Sequence, residues 1–104
     1  MAVTRQGIEE WIKRGVESKA RWLIVVCDTY DFEDYPVFVR TVEEFDERYE
    51  HFNGKNMQSI MEVYDLQGDI TAQLNLRRAL VYPPTSKFNP NRVEENPLLE
   101  WIEK

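Results

Sequence analysis

Four carboxylates fall within seven residues, Asp28, Asp31, Glu33 and Asp34, interleaved with Tyr30, Phe32 and Tyr35 in the run DTYDFEDYP. No basic residue between Trp22 and Val39 offsets them, so the local potential should be strongly negative. Oxygen donors at this density are the chemistry of a hard divalent cation, with Glu62 or Asp65 as further donors, and the aromatic faces add attraction for a cationic group. The spacing lacks the alternating ligands, the glycine at the sixth position and the later glutamate of an EF-hand loop. Acidic surface turns are also far commoner than metal sites. The preferred reading is therefore a ligand-binding surface built from Asp28, Tyr30, Asp31, Glu33, Asp34 and Tyr35, with no metal and no cofactor, facing a protein or a small cationic ligand.

Other reactive groups carry less. Cys27 and His51 are a conceivable nucleophile and base, yet Cys27 falls in an apolar run and His51 ends an amphipathic stripe, which favours a buried thiol. Arg77 and Arg78, with Arg21 and Arg40, would form an anion site if the fold gathered them, although solvated arginines explain them more simply. The chain has no Gly-x-Ser-x-Gly elbow, phosphate-binding loop, dinucleotide fingerprint or His-Glu-x-x-His helix. No catalytic residue is indicated.

The elements that must position the acidic run follow from periodicity. Trp22 to Cys27 and Pro36 to Arg40 read as strands, rich in β-branched residues. The connection between them, Asp28 to Pro36, is longer than a tight turn requires. The first strand is apolar on both parities, with Leu23, Val25 and Cys27 on one face and Trp22, Ile24 and Val26 on the other. It is therefore expected to be central and covered on both sides, by another segment or by a second subunit.

Ile8, Trp11, Ile12 and Val16 line one stripe of a helix over about Gln6 to Lys19, capped by Thr4, with Gly15 as a minor weakness. Thr41 and Glu44 form a capping box for a second helix to Phe52, striped by Val42, Phe45 and Tyr49 and stopped at Gly54. Met57 to Leu66 fits either period. A strand is chosen because a two-stranded hairpin alone is marginal, with Met57, Ser59, Met61 and Val63 on one face and Ile60 and Tyr64 opposite. Asp69 caps a short third helix bearing Ile70 and Leu74, and Ala79 to Tyr82 continues it or extends.

Residues 83 to 95 are polar and interrupted by proline, as in a surface linker. Asn96 and Pro97 then open a short helix whose Leu98, Leu99, Trp101 and Ile102 would be costly to leave in water, at roughly 1.5–3 kcal/mol each. These four are the expected interface residues. The expected organisation is an α+β domain over 1–82, in the order α-β-β-α-β-α, with a three- to four-stranded mainly antiparallel sheet packed by helices. Residues 83–104 form a Pro-rich linker and a docking helix.

At 104 residues, 42% apolar and 12% aromatic, the chain suits one folded domain. A net charge of −6 argues against direct binding to nucleic acid. A single cysteine excludes an internal disulfide and any multi-cysteine zinc pattern. With no long apolar run and with charges throughout the first fifteen residues, a membrane partner is not expected and a cytoplasmic location is.

The run VVCDTYDFEDYPVFV, with GKNMQSIMEVYDL following, resembles a group of small uncharacterised proteins of bacteria and their phages that share this acidic hairpin. The similarity covers about residues 8 to 80 and brings no activity with it. It places the protein in a bacterial cell or a phage-infected host. The expectation is a noncatalytic binding or regulatory protein, a homodimer, that sequesters or inhibits a host factor through the acidic hairpin. One alternative is a small metal-dependent hydrolase with Asp28, Asp31 and Asp34 as ligands, and another is an acidic mimic of nucleic acid.

Overall fold

A computed structural model describes residues 4–55 and 57–90. The chain runs through helix α1 (Arg5–Glu17), strands β1 (Trp22–Asp28) and β2 (Glu33–Val39), helix α2 (Val42–Phe52), strand β3 (Gln58–Asp65) and the short helix α3 (Ile70–Leu74). It is an α+β fold in the expected α-β-β-α-β-α order, with a sheet of order β2-β1-β3 and both pairings antiparallel. A single parallel bridge, Val63 to Leu80, adds the beginning of a fourth strand beside β3.

The double-faced apolar strand occupies the centre, as its composition requires. Leu23, Ile24, Val25 and Val26 are at most 1% exposed, each contributing up to about 1.5–3 kcal/mol of burial. Leu23 and Val25 pack beneath α1 and α3 with Ile8, Ile12, Tyr64 and Leu66. Trp22, Ile24 and Val26 pack beneath α2 with Phe45, Tyr49, Ile60 and Val63. Both faces are thus covered from within the chain, so no second subunit is needed to shield the sheet.

The helix ends obey local chemistry. The side chains of Thr4, Thr41 and Asp69 accept from the backbone N–H groups of Gly7, Glu44 and Ala72, at 3.1, 3.0 and 3.0 Å. Glu44 reaches back one residue past the cap, accepting from the N–H of Arg40 in place of the Thr41 N–H of the usual capping box. Helix α1 stops two residues before the expected Lys19. Lys19 takes a left-handed φ of 64°, and the N–H groups of Ala20 and Lys19 bond the carbonyls of Gly15 and Val16, the Schellman pattern. Gly15 is no weakness: a Cβ there would lie 2.6 Å from Leu66 Cδ1 and 2.9 Å from the Phe38 ring, so it lets α1 approach the sheet closely.

Three other expectations are corrected. Strand β2 begins at Glu33, and Pro36 lies inside it opposite Val25. Proline is tolerated there because β2 is an edge strand, where a missing donor need not break a ladder. In β3, Val63 shares a face with Ile60 rather than with Met61, because Val25 pairs with Glu62 and the next residue, Val26, pairs with Ile60. Met61 is the extra residue of a β-bulge, which resets the alternation.

The third correction concerns the linker. Over its described part it is a packed strap, with Pro83 and Ser86 fully buried. Ser86 Oγ donates to Asp46 on α2 at 2.5 Å, Lys87 pairs with Glu50 at 3.1 Å, and the Phe88 ring lies 4.4 Å from that of Tyr49. Leu98, Leu99, Trp101 and Ile102 lie outside the described residues.

Candidate functional site

The β1–β2 ladder continues to the pair Asp28–Glu33, which shortens the connection from the expected nine residues to four, Thr29–Phe32. Asp28 makes this closure possible. Its side chain accepts from the N–H of Tyr30 at 2.8 Å and of Asp31 at 3.4 Å, while its carbonyl accepts from the N–H of Phe32 at 2.7 Å. Phe32 closes the turn at a left-handed φ of 56°, a conformation that costs a bulky L-residue on the order of 1–2 kcal/mol. Thr29 ties the turn to the start of β3, its N–H and hydroxyl both donating to the Met57 carbonyl at 2.7 Å. Met57 also has a positive φ, 60°.

The pleat divides the six residues expected to bind a ligand. Tyr30, Asp31 and Glu33 are exposed at the tip, Tyr30 at 72%. Beside them Phe32 is 68% and Met57 59% exposed. Asp28 is committed to the turn. Tyr35 lies on the α2 side, its hydroxyl donating to Gln58 at 2.5 Å and its ring edge-on to Phe52. Burial, then the Asp28 charge, raises its pKa.

Asp34 belongs to the other face, opposite Cys27. The Cys27 thiol is pushed up by burial, then by its hydrogen bond to Asp34 and by that carboxylate's charge. It is poorly suited to act as a nucleophile. His51 is exposed on α2, across the sheet from Cys27, so the two form no dyad. Among the described residues, no three or more of His, Cys, Asp and Glu are grouped so as to hold a metal ion. Asp28, Asp31 and Asp34 are therefore not gathered as a ligand set.

The four arginines are dispersed as well. The Arg21 guanidinium stacks 4.8 Å from the Trp22 ring centroid, and Arg40 donates to the Ser18 carbonyl at 3.0 Å. Arg78 clamps the bulge, its Nε donating to the Met61 carbonyl at 2.7 Å and its Nη2 to that of Ile60 at 2.9 Å. Among the described residues the Arg77 side chain has no hydrogen bond or ion pair, and the buried Arg21 Nε likewise has no hydrogen-bond partner.

One feature has no local mark in the sequence. At the hairpin end of the α1-side face, a cleft of about 760 Å³ opens. Ile8, Val25, Met61 and Leu76 form its apolar floor, Asp34 and Glu62 stand on the sheet, and Arg77 and Arg78 stand beyond β3. Its members come from five separate places in the chain, and although Asp34, Glu62 and the Arg-Arg dipeptide each stand out in the sequence, nothing local places them together. Among the described residues, no helix is long and apolar enough to cross a membrane. Comparison of the chain with protein-family models, with curated proteins and with solved structures finds no match, so the geometry alone bears on what these surfaces do.

Proposed function

We propose that the protein is a noncatalytic binding module whose recognition surface is the tip of the β1–β2 hairpin, and that its partner is a basic protein segment. The observation that carries this reading is the trio Tyr30, Phe32 and Met57. Three large apolar side chains stand in water at one end of the sheet, two of them on backbone held at positive φ. Strain of this kind persists where the surroundings enforce it and is frequent at binding sites. An apolar patch rimmed by polar groups is the usual form of an interaction surface.

The rim here is acidic, from the exposed Asp31 and Glu33. Lysine or arginine side chains of a partner would meet carboxylates and aromatic faces together, which favours both steering and cation–π contact. Sequestration of a host factor, as the resemblance to phage hairpins suggests, would use such a surface. Asp28, Asp31 and Asp34 are not grouped as metal ligands among the described residues, and no observation favours the nucleic-acid mimic over a protein-binding tip.

The test is selection of dodecapeptides from a random library on the folded protein. The enriched peptides should carry Lys or Arg beside an aromatic or aliphatic residue. Two variants, one Asp31→Asn with Glu33→Gln and the other Tyr30→Ser with Phe32→Ser, should each weaken them at least about tenfold. Binding should also fall as salt rises. Equal affinity in both variants would identify the tip as a solvated loop and end the proposal.

A further inference from the structure

The cleft on the α1 side leaves large apolar side chains open to water, as the hairpin tip does, but it lies apart from the tip. Met61 is 38% and Leu76 50% exposed above the buried Ile8 and Val25, and apolar surface of this kind marks a place that something covers. Most of the charged groups around it are already engaged. Glu62 accepts from the N–H of Ala79 at 3.1 Å and from the Tyr64 hydroxyl, and Asp34 at the β2 end is engaged as well. Arg78 is held on the carbonyls of Ile60 and Met61, whereas Arg77 beside it retains its donors among the described residues.

The structure describes the chain as far as Pro90, which stands near the same edge of the sheet. Asn89 and Pro90 line one cavity with Leu80, the residue bridged to β3. Leu80 follows Leu76 by four residues, at most about 14 Å of chain. Leu98 follows Pro90 by eight, a reach of up to about 26 Å. The segment from 91 to 104 is therefore long enough to pass around the β3 edge and enter the cleft.

Its composition fits the place. On the helix that Asn96 and Pro97 are expected to open, Leu98, Trp101 and Ile102 recur at i, i+3 and i+4 on one face. Glu94 and Glu95 stand just before them, and with Glu100 and Glu103 they outnumber Arg92 and Lys104.

We propose that residues 91–104 of the same chain occupy this cleft, with Leu98, Trp101 and Ile102 on the floor of Val25, Met61 and Leu76, and with Glu94 and Glu95 facing Arg77. Apolar face meets apolar floor, and the acidic pair meets the arginine with unused donors. A tether this short holds the segment at an effective concentration in roughly the millimolar range, so the chain's own segment outcompetes that of a second copy at ordinary protein concentrations.

The test is hydrogen exchange on the full chain, with the solution mass measured at the same concentrations. A helix this short is marginal in water by itself. Docked, the amides of residues 98–102 should exchange at least about tenfold more slowly than those of an unstructured chain, in a protein that is monomeric throughout. Leu76→Asp, at an exposed position outside the helices and strands, should abolish that protection, and Arg77→Glu, which sets like charges together, should lower it about threefold. Leu98→Ser with Trp101→Ser should move the amide chemical shifts of Val25, Met61 and Leu76 and leave those of Tyr30 and Phe32 in place.

Unprotected amides at 98–102 in the parent chain would overturn the proposal, as would protection that either cleft variant leaves intact. So would protection that appears only where the mass is that of a dimer, which would assign the cleft to the segment of a second copy.

Discussion

Two adjacent arginines show how little a residue's type says about its work. Arg77 and Arg78 are both exposed, yet Arg78 satisfies two carbonyls at the β-bulge and Arg77 satisfies none. Removing Arg78 leaves those carbonyls without their charged donor, and hydrogen bonds of that kind are worth roughly 1.5–3 kcal/mol. Because both carbonyls are reached from the surface, water recovers part of the loss. Arg78→Ala should therefore lower unfolding stability by about 1–2 kcal/mol, while Arg77→Ala stays within about 0.5 kcal/mol of the parent. Urea titration of the two variants checks the contrast, and equal losses would show that the bulge does not depend on Arg78. The dipeptide was visible in the sequence, but its division of labour was not. It depends on a bulge at Met61 that strict alternation along MQSIMEVYDL conceals. The same concealment misassigned the face of Val63.

At the scale of elements the sequence was more informative, because each helix carried two agreeing signals. Amphipathic stripes located α1 and α2, and the side chains of Thr4, Thr41 and Asp69 cap α1, α2 and α3 as expected. The failures occurred where tertiary contact overrides local preference. Pro36 looked like the start of a strand because the edge position of β2 cannot be read locally. Residues 83–90 looked like a linker because their anchors, Asp46 and Tyr49, lie some forty residues away. Gly15 looked like a weak point in α1 but marks its closest approach to the sheet. Gly15→Ala therefore sets two effects against each other. Alanine improves helix propensity by about 1 kcal/mol, whereas overpacking against Leu66 and Phe38 costs typically 1–3 kcal/mol. Leu66 is held in the core, so overpacking should win by about 1 kcal/mol, read as a lower urea midpoint. A midpoint raised by the propensity gain would mean that Leu66 swings aside freely.

At the scale of the whole molecule, one property follows from how the core treats its protonated groups. Cys27, Tyr35, Tyr49 and Tyr64 all have raised pKa values, and in each the leading cause is burial, which penalises the anion. Tyr49 is further raised by its hydroxyl contact with Tyr82 at 2.9 Å, and Tyr64 by the neighbouring charge of Glu62. The unfolded chain releases these protons near the ordinary values of 9.0 for the thiol and 10.0 for the phenols, while the native state still holds them. Above those values the native state binds more protons than the unfolded state, so stability must fall as pH rises. Their contribution is complete below about pH 9 and is lost progressively above it. The urea midpoint should hold nearly level from about pH 7 to 8.5 and then decline steeply towards pH 11. Growing negative charge on an already acidic chain would produce a decline as well, but it would be indifferent to any one phenol. Tyr49→Phe and Tyr64→Phe each remove a group that must ionise on unfolding, so each should flatten the decline above pH 10 while lowering stability at pH 7 only through the lost hydroxyl contact. If neither variant changes the slope, net charge governs the alkaline limit and the buried phenols do not.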